Sequence, residues 1–534
     1  MIKRRLWLCF GVLLLATACQ PQPTASPPEV LRIAIARDVV SLDPTQVHQP
    51  SVDESLIRNL YNGLYKFDDS LKESPDLAKA MPAVSSDRKT WTFHIRPDAK
   101  FGNGDRVTAD DVIFSWNRAA QVQSADAVVF APVAGFDAVQ SGKQSTLAGL
   151  SAPDQSTVVA NLSAPAEYWF ALLGLWPAYV LNRRVLQDYG DKDWWRTPKH
   201  LSDSATGPYQ FSAWQPGMWL DFTPTPNWWG GGTGALTRVR AEILATASDI
   251  LAAYEHGDVD IVGYAPDSRM PEIPLDALAH YLSDSKLKSQ VHSRPWFETL
   301  WLRFYTRSGP LAGPDARMAR KALSEAIDRK AFVGAACNGG LTCMAATGGM
   351  FLPGLQGYLG DDKDPNAQFD VSAAKADLRS WDPEGTKSRD LRMYAPHIYT
   401  ALVEEVHRQW LANLGIDVPF DIVASVASPP VNRVIFGGVN TVDFDSPQNF
   451  LTEFFDSASY SNPVFNELET TAEAQLPSQA LPLYTRAEQI LEDDVAVASL
   501  AYRLGIFLIK PSVVGAGGNA LYEYYWRGIS IKTD

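Results

Sequence analysis

An apolar run of 13 residues, 6–18, stands behind the cations Lys3, Arg4 and Arg5 and constrains this chain more than any other feature. It is too short for a permanent membrane span, which needs about 20 residues. Its order, cations first and then an apolar stretch, is that of an export leader. Ala16, Thr17 and Ala18 end it directly before Cys19. No later apolar run reaches the ~18 residues of a transmembrane helix. The residues behind the leader are therefore expected to fold in water outside the cytoplasm, where disulfides are permitted.

The small residues before Cys19 resemble a bacterial lipobox, with Ala16 where leucine is usual. Residues 1–18 are read as a signal peptide, and Cys19 as the lipidated first residue of the mature chain. The alternative is plain cleavage near Ala18. Residues 19–29, rich in Pro and Gln, form a flexible tether with nothing to pack. The expected location is extracytoplasmic, in the periplasm or at the cell surface, with the membrane touched only through the lipid. The net charge is −14, from 47 Lys and Arg against 61 Asp and Glu, which disfavours nucleic acid as a partner. Two other cysteines, Cys337 and Cys343, flank a turn-like Asn338-Gly339-Gly340-Leu341-Thr342. A disulfide between them and a pair of buried thiols both remain open.

The body reads as α/β without repeats. Residues 31–36 and 90–95 alternate as strands do. Residues 53–64, 109–116, 316–331 and 400–414 show helical faces, with Thr108 as an N-cap and Gly415 as a C-cap. Residues 198–208 and 230–234 read as loops, and Trp228 and Trp229 as packing residues. Enzyme motifs are missing from the sequence: there is no G-x-S-x-G, H-E-x-x-H or G-x-x-x-x-G-K-[ST]. The eight histidines, His48 and His397 among them, have no compact metal spacing. No catalytic residue, metal or cofactor is expected.

Ordered blocks carry a family resemblance. They are Leu42-Asp43-Pro44; Asn59-Leu60-Tyr61-Asn62-Gly63-Leu64; Pro75-Asp76-Leu77-Ala78; and Trp91-Thr92-Phe93-His94-Ile95-Arg96 through Thr108-Ala109-Asp110-Asp111-Val112. Further on stand Gly207-Pro208-Tyr209, Asn227-Trp228-Trp229-Gly230-Gly231, Arg320 to Leu323 with Ala326 to Arg329, Leu414-Gly415-Ile416, and Asp443-Phe444-Asp445-Ser446-Pro447. Their sum resembles the family 5 extracellular solute-binding proteins, the oligopeptide- and dipeptide-binding components of ABC importers.

The resemblance implies a two-lobed periplasmic-binding-protein fold (type II, cluster C) with an extra inserted domain and a hinge of two chain crossings. Lobe I would combine 30–73, 204–295 and 505–534. The extra domain would be 74–203, and lobe II 296–504. It implies a monomer that captures small peptides in the interlobe cleft and delivers them to an ABC permease and its ATPase. Asp443 matches the family position that pairs with a peptide's α-ammonium, with Phe444 beside it. Asn440 replaces an aromatic residue usual there. Gln49 and Ser51, after the first strand, and Tyr502 and Arg503, before the second crossing, complete the expected ligand set. The same fold could instead bind nickel chelates, opines or oligosaccharides. Outside this class stand a secreted hydrolase and a scaffolding or sensing lipoprotein.

Overall fold

A computed structural model describes residues 29–47, 51–68, 71–123, 125–263, 273–424, 434–441, 444–517 and 525–532. Val30–Ile35 lies parallel to Arg238–Ile243 on one side and to Ile261–Val262 on the other. Leu31, Ile33, Ala34 and Ile35 are fully buried. A strand covered on both faces reads as a near-continuous apolar run, and this one does. Among the described residues, eleven strands make one sheet. Its order is Phe420–Val423, Met393–Pro396, Ile435–Thr441, Val291–Phe304, Val497–Ile509, Ile261–Val262, Val30–Ile35, Arg238–Ile243, Trp219–Pro224 and Tyr209–Gln215, with Cys343–Ala345 also on Val497–Ile509.

Two long antiparallel strands, Val291–Phe304 and Val497–Ile509, join the halves of this sheet. They pair from Val291 opposite Leu508 to Arg303 opposite Val497, with a register shift between Pro295 and Thr299. Before the shift, Ile261–Val262 pairs with Ile509 and Leu508. Beyond it, Ile435–Thr441 pairs with Glu298 through Phe304, and Cys343–Ala345 with Arg503 through Ala501. The chain is thus two-lobed α/β, with the sheet running from one lobe into the other along these two strands. The second lobe has its own core, in which Leu302, Leu323, Phe332, Trp410 and Ile435 are fully buried. The larger core holds Trp116, Trp169 and Leu220, and it continues into Phe351, Phe450 and Tyr484.

An extra four-stranded sheet is built from Ala83–Val84, Thr90–His94, Thr157–Asn161 and Leu150–Asp154 in that order. Helix Ala109–Gln121 packs beside it. Its start is fixed where Asp111 Oδ2 accepts from the Thr108 N–H at 2.9 Å and from its hydroxyl at 2.5 Å. Thr400–Leu414 ends at Gly415, whose φ of 73° is the left-handed conformation that glycine adopts freely. Both Trp228 and Trp229 donate their indole N–H to the Thr206 carbonyl, at 2.8 and 2.9 Å.

Three expected elements differ. The helix expected over 53–64 is only Val52–Ile57. The Asn59 and Leu60 carbonyls accept instead from the N–H groups of Tyr209 and Gly207, so a neighbouring segment takes the bonds a longer helix would need. The helix expected over 316–331 is two, Arg317–Glu325 and Arg329–Ala336. Asp328 Oδ1 accepts from the Lys330 and Ala331 N–H groups and starts the second. The loop expected at 198–208 contains helix Pro198–Ser204, with proline in its first turn and Leu201 buried.

Arg320 shows what holds the second lobe. It is 2% exposed, and it donates to the carbonyls of Leu311, Gly313, Asp494 and Val495 at 2.6–3.2 Å. Arg320→Met should lower this lobe's unfolding free energy by about 3 kcal/mol, because a cation's hydrogen bonds and the carbonyls' partners vanish together. Urea unfolding followed by tryptophan fluorescence reads this. A loss under about 1 kcal/mol would show the bonds to be dispensable.

Candidate functional site

The seam between the lobes is lined by acids. A small cavity there is walled by Glu73, Glu167, Tyr168 and Phe170 from one side and by Gln356, Asp445, Ser446 and Tyr484 from the other. No Lys, Arg or His of the described residues lines it. Backbone and side chains cross the seam together. The Glu167 N–H donates to the Glu473 carbonyl at 3.1 Å, and the Tyr484 hydroxyl donates to Glu167 Oε1 at 2.9 Å. Within the second side, the Gln356 N–H donates to Asp445 Oδ1 at 2.9 Å. Tyr168 stacks on Phe444, with ring centres 6.3 Å apart and planes at 26°. Arg88 reaches over from the extra sheet to the Ala474 carbonyl and to the side-chain oxygens of Gln475 and Gln479.

Burial without cations raises these carboxyl groups. Burial pushes Glu167 up to about 7, opposed by the Tyr484 hydroxyl and reinforced by Glu473 and Glu73. Burial pushes Asp445 up to about 6 against the Gln356 hydrogen bonds. Behind them Glu469, 1% exposed, is pushed up to about 8 by burial and by Glu473. Glu73 and Glu473 are raised by burial too. Such a site is short of positive charge, and an enclosed ammonium would be stabilised in it by the ionised carboxylates.

The residues expected from sequence fall into separate groups. Asp443, Gln49, His48 and Cys19 lie outside the described residues. Asn440 stands on Ile435–Thr441 with its backbone opposite Thr299. Phe444 lies at the seam, 6% exposed, on Tyr168. Ser51 caps helix Val52–Ile57, its hydroxyl accepting from the Glu54 N–H at 3.1 Å. Tyr502 is buried. Its hydroxyl accepts from the Gly348 N–H and donates to the Gly349 carbonyl. Arg503 pairs with Glu298 at 3.1 Å, so its charge ties one long strand to the other. His397 is exposed. Cys337 and Cys343 are disulfide-bonded, with Cα atoms 5.6 Å apart. Sequence reasoning did not single out Glu73, Glu167, Gln356, Asp445 or Tyr484. Only Asp445 carried a signal, as a neighbour of Asp443 in one block.

Among the described residues, no group of three or more His, Cys, Asp and Glu could hold a metal ion. None of their helices is long and apolar enough to cross a membrane.

Glu469 makes a stability prediction. Both its oxygens are enclosed and accept no hydrogen bond. The folded protein therefore keeps a proton that the unfolded chain releases above the usual glutamate range. Stability must fall as pH rises from there through about 8. Glu469→Gln removes that penalty. Its melting temperature should match the parent's near pH 5 and exceed it at pH 8.5, with a gain on the order of 1 kcal/mol. An equal difference at both pH values would show that Glu469 does not hold its proton.

The model for "Bacterial extracellular solute-binding proteins, family 5 Middle" matches residues 72–462. Among curated relatives, the periplasmic oligopeptide-binding protein OppA of Escherichia coli K12 is 25% identical over 530 residues, covering 92% of this chain and 91% of that protein. The probable D,D-dipeptide-binding periplasmic protein DdpA of the same strain is 26% identical, covering 96% of each. The unliganded open form of the periplasmic murein tripeptide binding protein MppA superposes with a TM-score of 0.83 at 23% identity, covering 95% of this chain and 98% of that one. A second structure of the Escherichia coli protein gives 0.68.

Proposed function

The chain belongs to the family 5 bacterial extracellular solute-binding proteins, and on that premise we propose that it captures short peptides between its lobes and delivers them to an ABC permease and its ATPase. It is a binding protein and not an enzyme. The observation that supports the peptide reading is the acid-lined, cation-poor seam, whose cavity of about 20 Å³ has room for one small group such as an ammonium. A peptide with a free amino terminus brings the positive charge that this cavity lacks. Asp443, two residues before Asp445, is the proposed partner of that ammonium. The names of the relatives, oligopeptide- and dipeptide-binding proteins, point the same way.

The two long strands supply the proposed hinge. Their register shift between Pro295 and Thr299 breaks the regular ladder at the point where the sheet passes from lobe to lobe. A few residues at such a break can absorb the rotation that closes a cleft. Removing water around the ammonium then strengthens its pairing with the carboxylates.

Calorimetry with tri-alanine and N-acetyl-tri-alanine tests this. Tri-alanine should bind more tightly, and Asp443→Asn or Asp445→Asn should weaken it on the order of tenfold while barely changing the acetylated peptide. The preference should also depend on pH. Asp445 ionises near 6 and Glu167 near 7, so affinity for the free amine should rise from pH 5 to pH 7, as the cavity gains negative charge while the peptide's amino group, which titrates at about 8, is still protonated. Equal affinities for both peptides at every pH would remove the ammonium role.

Cys19 is proposed to carry a lipid that keeps the protein on the membrane it serves. Cys19→Ser should move the protein from the pelleted membrane fraction to the supernatant, and continued pelleting would exclude this anchor.

A further inference from the structure

A second cavity lies away from the seam. It encloses about 550 Å³, within the range of small-molecule sites. None of its lining residues falls within 296–504, so the second lobe takes no part in it and cleft closure does not form it. Its lining includes Tyr61, Phe67, Tyr179, Trp228 and Tyr525, together with the carboxylates of Asp68 and Asp76. Tyr61 and Tyr179 stack with centres 6.5 Å apart.

The polar edges of two of these rings are already engaged by the protein. The Tyr61 hydroxyl donates to the Leu42 carbonyl at 3.0 Å, and the Trp228 indole N–H donates to Thr206. These two rings therefore have hydrocarbon rather than hydrogen-bonding capacity to offer a guest. Of the cations at the cavity, Arg58 bonds Glu54, and Lys66 lies 3.4 Å from Asp76. Arg527 differs. It is exposed at the rim and stacks 5.1 Å over Trp228. Its Nε donates to the Gly232 carbonyl at 2.8 Å. It makes no ion pair with a carboxylate among the described residues. Its two terminal nitrogens keep the fork geometry that matches a carboxylate.

We propose that this cavity is a second ligand site, separate from the interlobe cleft, that binds a small aromatic carboxylate with its rings among Tyr61, Phe67, Tyr179 and Trp228 and its carboxylate on Arg527. The apolar walls supply the affinity by removing the rings from water. Arg527 supplies the preference for an anion, modest because the pair sits at a wet rim.

Naphthalene-2-carboxylate and its neutral isostere naphthalene-2-carboxamide test the site by calorimetry on the full chain. The carboxylate should bind one per chain, on the order of fivefold more tightly than the amide. Arg527→Gln, an exposed change that leaves the fold intact, should bring the two to equal affinity. Trp228→Phe should weaken both. Asp445→Asn, in the seam, should change neither. No saturable binding of either compound would overturn the proposal and would also be the result if neighbouring residues of the chain fill the cavity. A carboxylate preference that survives Arg527→Gln would overturn it too, as would loss of binding in Asp445→Asn. None of these outcomes depends on whether peptides bind the cleft.

Discussion

The pairing of Val291–Phe304 with Val497–Ile509 is the constraint on which the molecule depends. These strands are the shared edge of two half-sheets, so the sheet itself passes from one lobe to the other through one antiparallel ladder. The ladder is regular near Val291 and Leu508, slips between Pro295 and Thr299 and again between Leu300 and Trp301, and then runs on to Arg303. Proline has no N–H to give, which suits a place where pairing is interrupted. Glu298 and Arg503 pair across the interruption. That contact holds the strands together where backbone bonds are fewest, and it can survive a small rotation because an ion pair tolerates changes of angle better than a backbone ladder does.

The extra four-stranded sheet is more than an outgrowth of the first lobe. Through Arg88 and Glu167 it reaches the segment 473–484 of the other lobe, and so it forms part of the seam. The carboxyl groups gathered there cost stability in the ionised form, since burial opposes charge and no side-chain cation answers it. A protein that only needed to be stable would fill this space with apolar residues. Retaining Glu73, Glu167 and Asp445 around a cavity is consistent with a partner that arrives from outside.

Local patterns made much of the fold legible. The alternation over 31–36, the Thr108 cap and the Gly415 stop all depend on neighbours within four residues, and each sits as read. The failures were tertiary. Nothing near 58–64 shows that Tyr209 and Gly207 will take the carbonyls that end the helix early. Asp328 looked like a helix residue and acts as a cap. The seam was less legible still. Glu73, Glu167, Gln356, Asp445 and Tyr484 come from five separate stretches of chain, and a lone glutamate in sequence carries no sign of the cavity it will face. Tyr502 and Arg503 were placed by their nearness to the crossing. The fold spends one on the Gly348–Gly349 backbone and the other on Glu298.

The two ends of the described chain meet on one lobe. Glu29 accepts from the Ile531 N–H through its side chain at 2.9 Å and from the Thr237 N–H through its carbonyl at 2.8 Å. Both ends thus leave the same rigid half of the sheet. A force applied at either end enters the first lobe and returns through it without crossing the long strands. A pull between the two ends is therefore taken up within this half of the sheet rather than by the long strands.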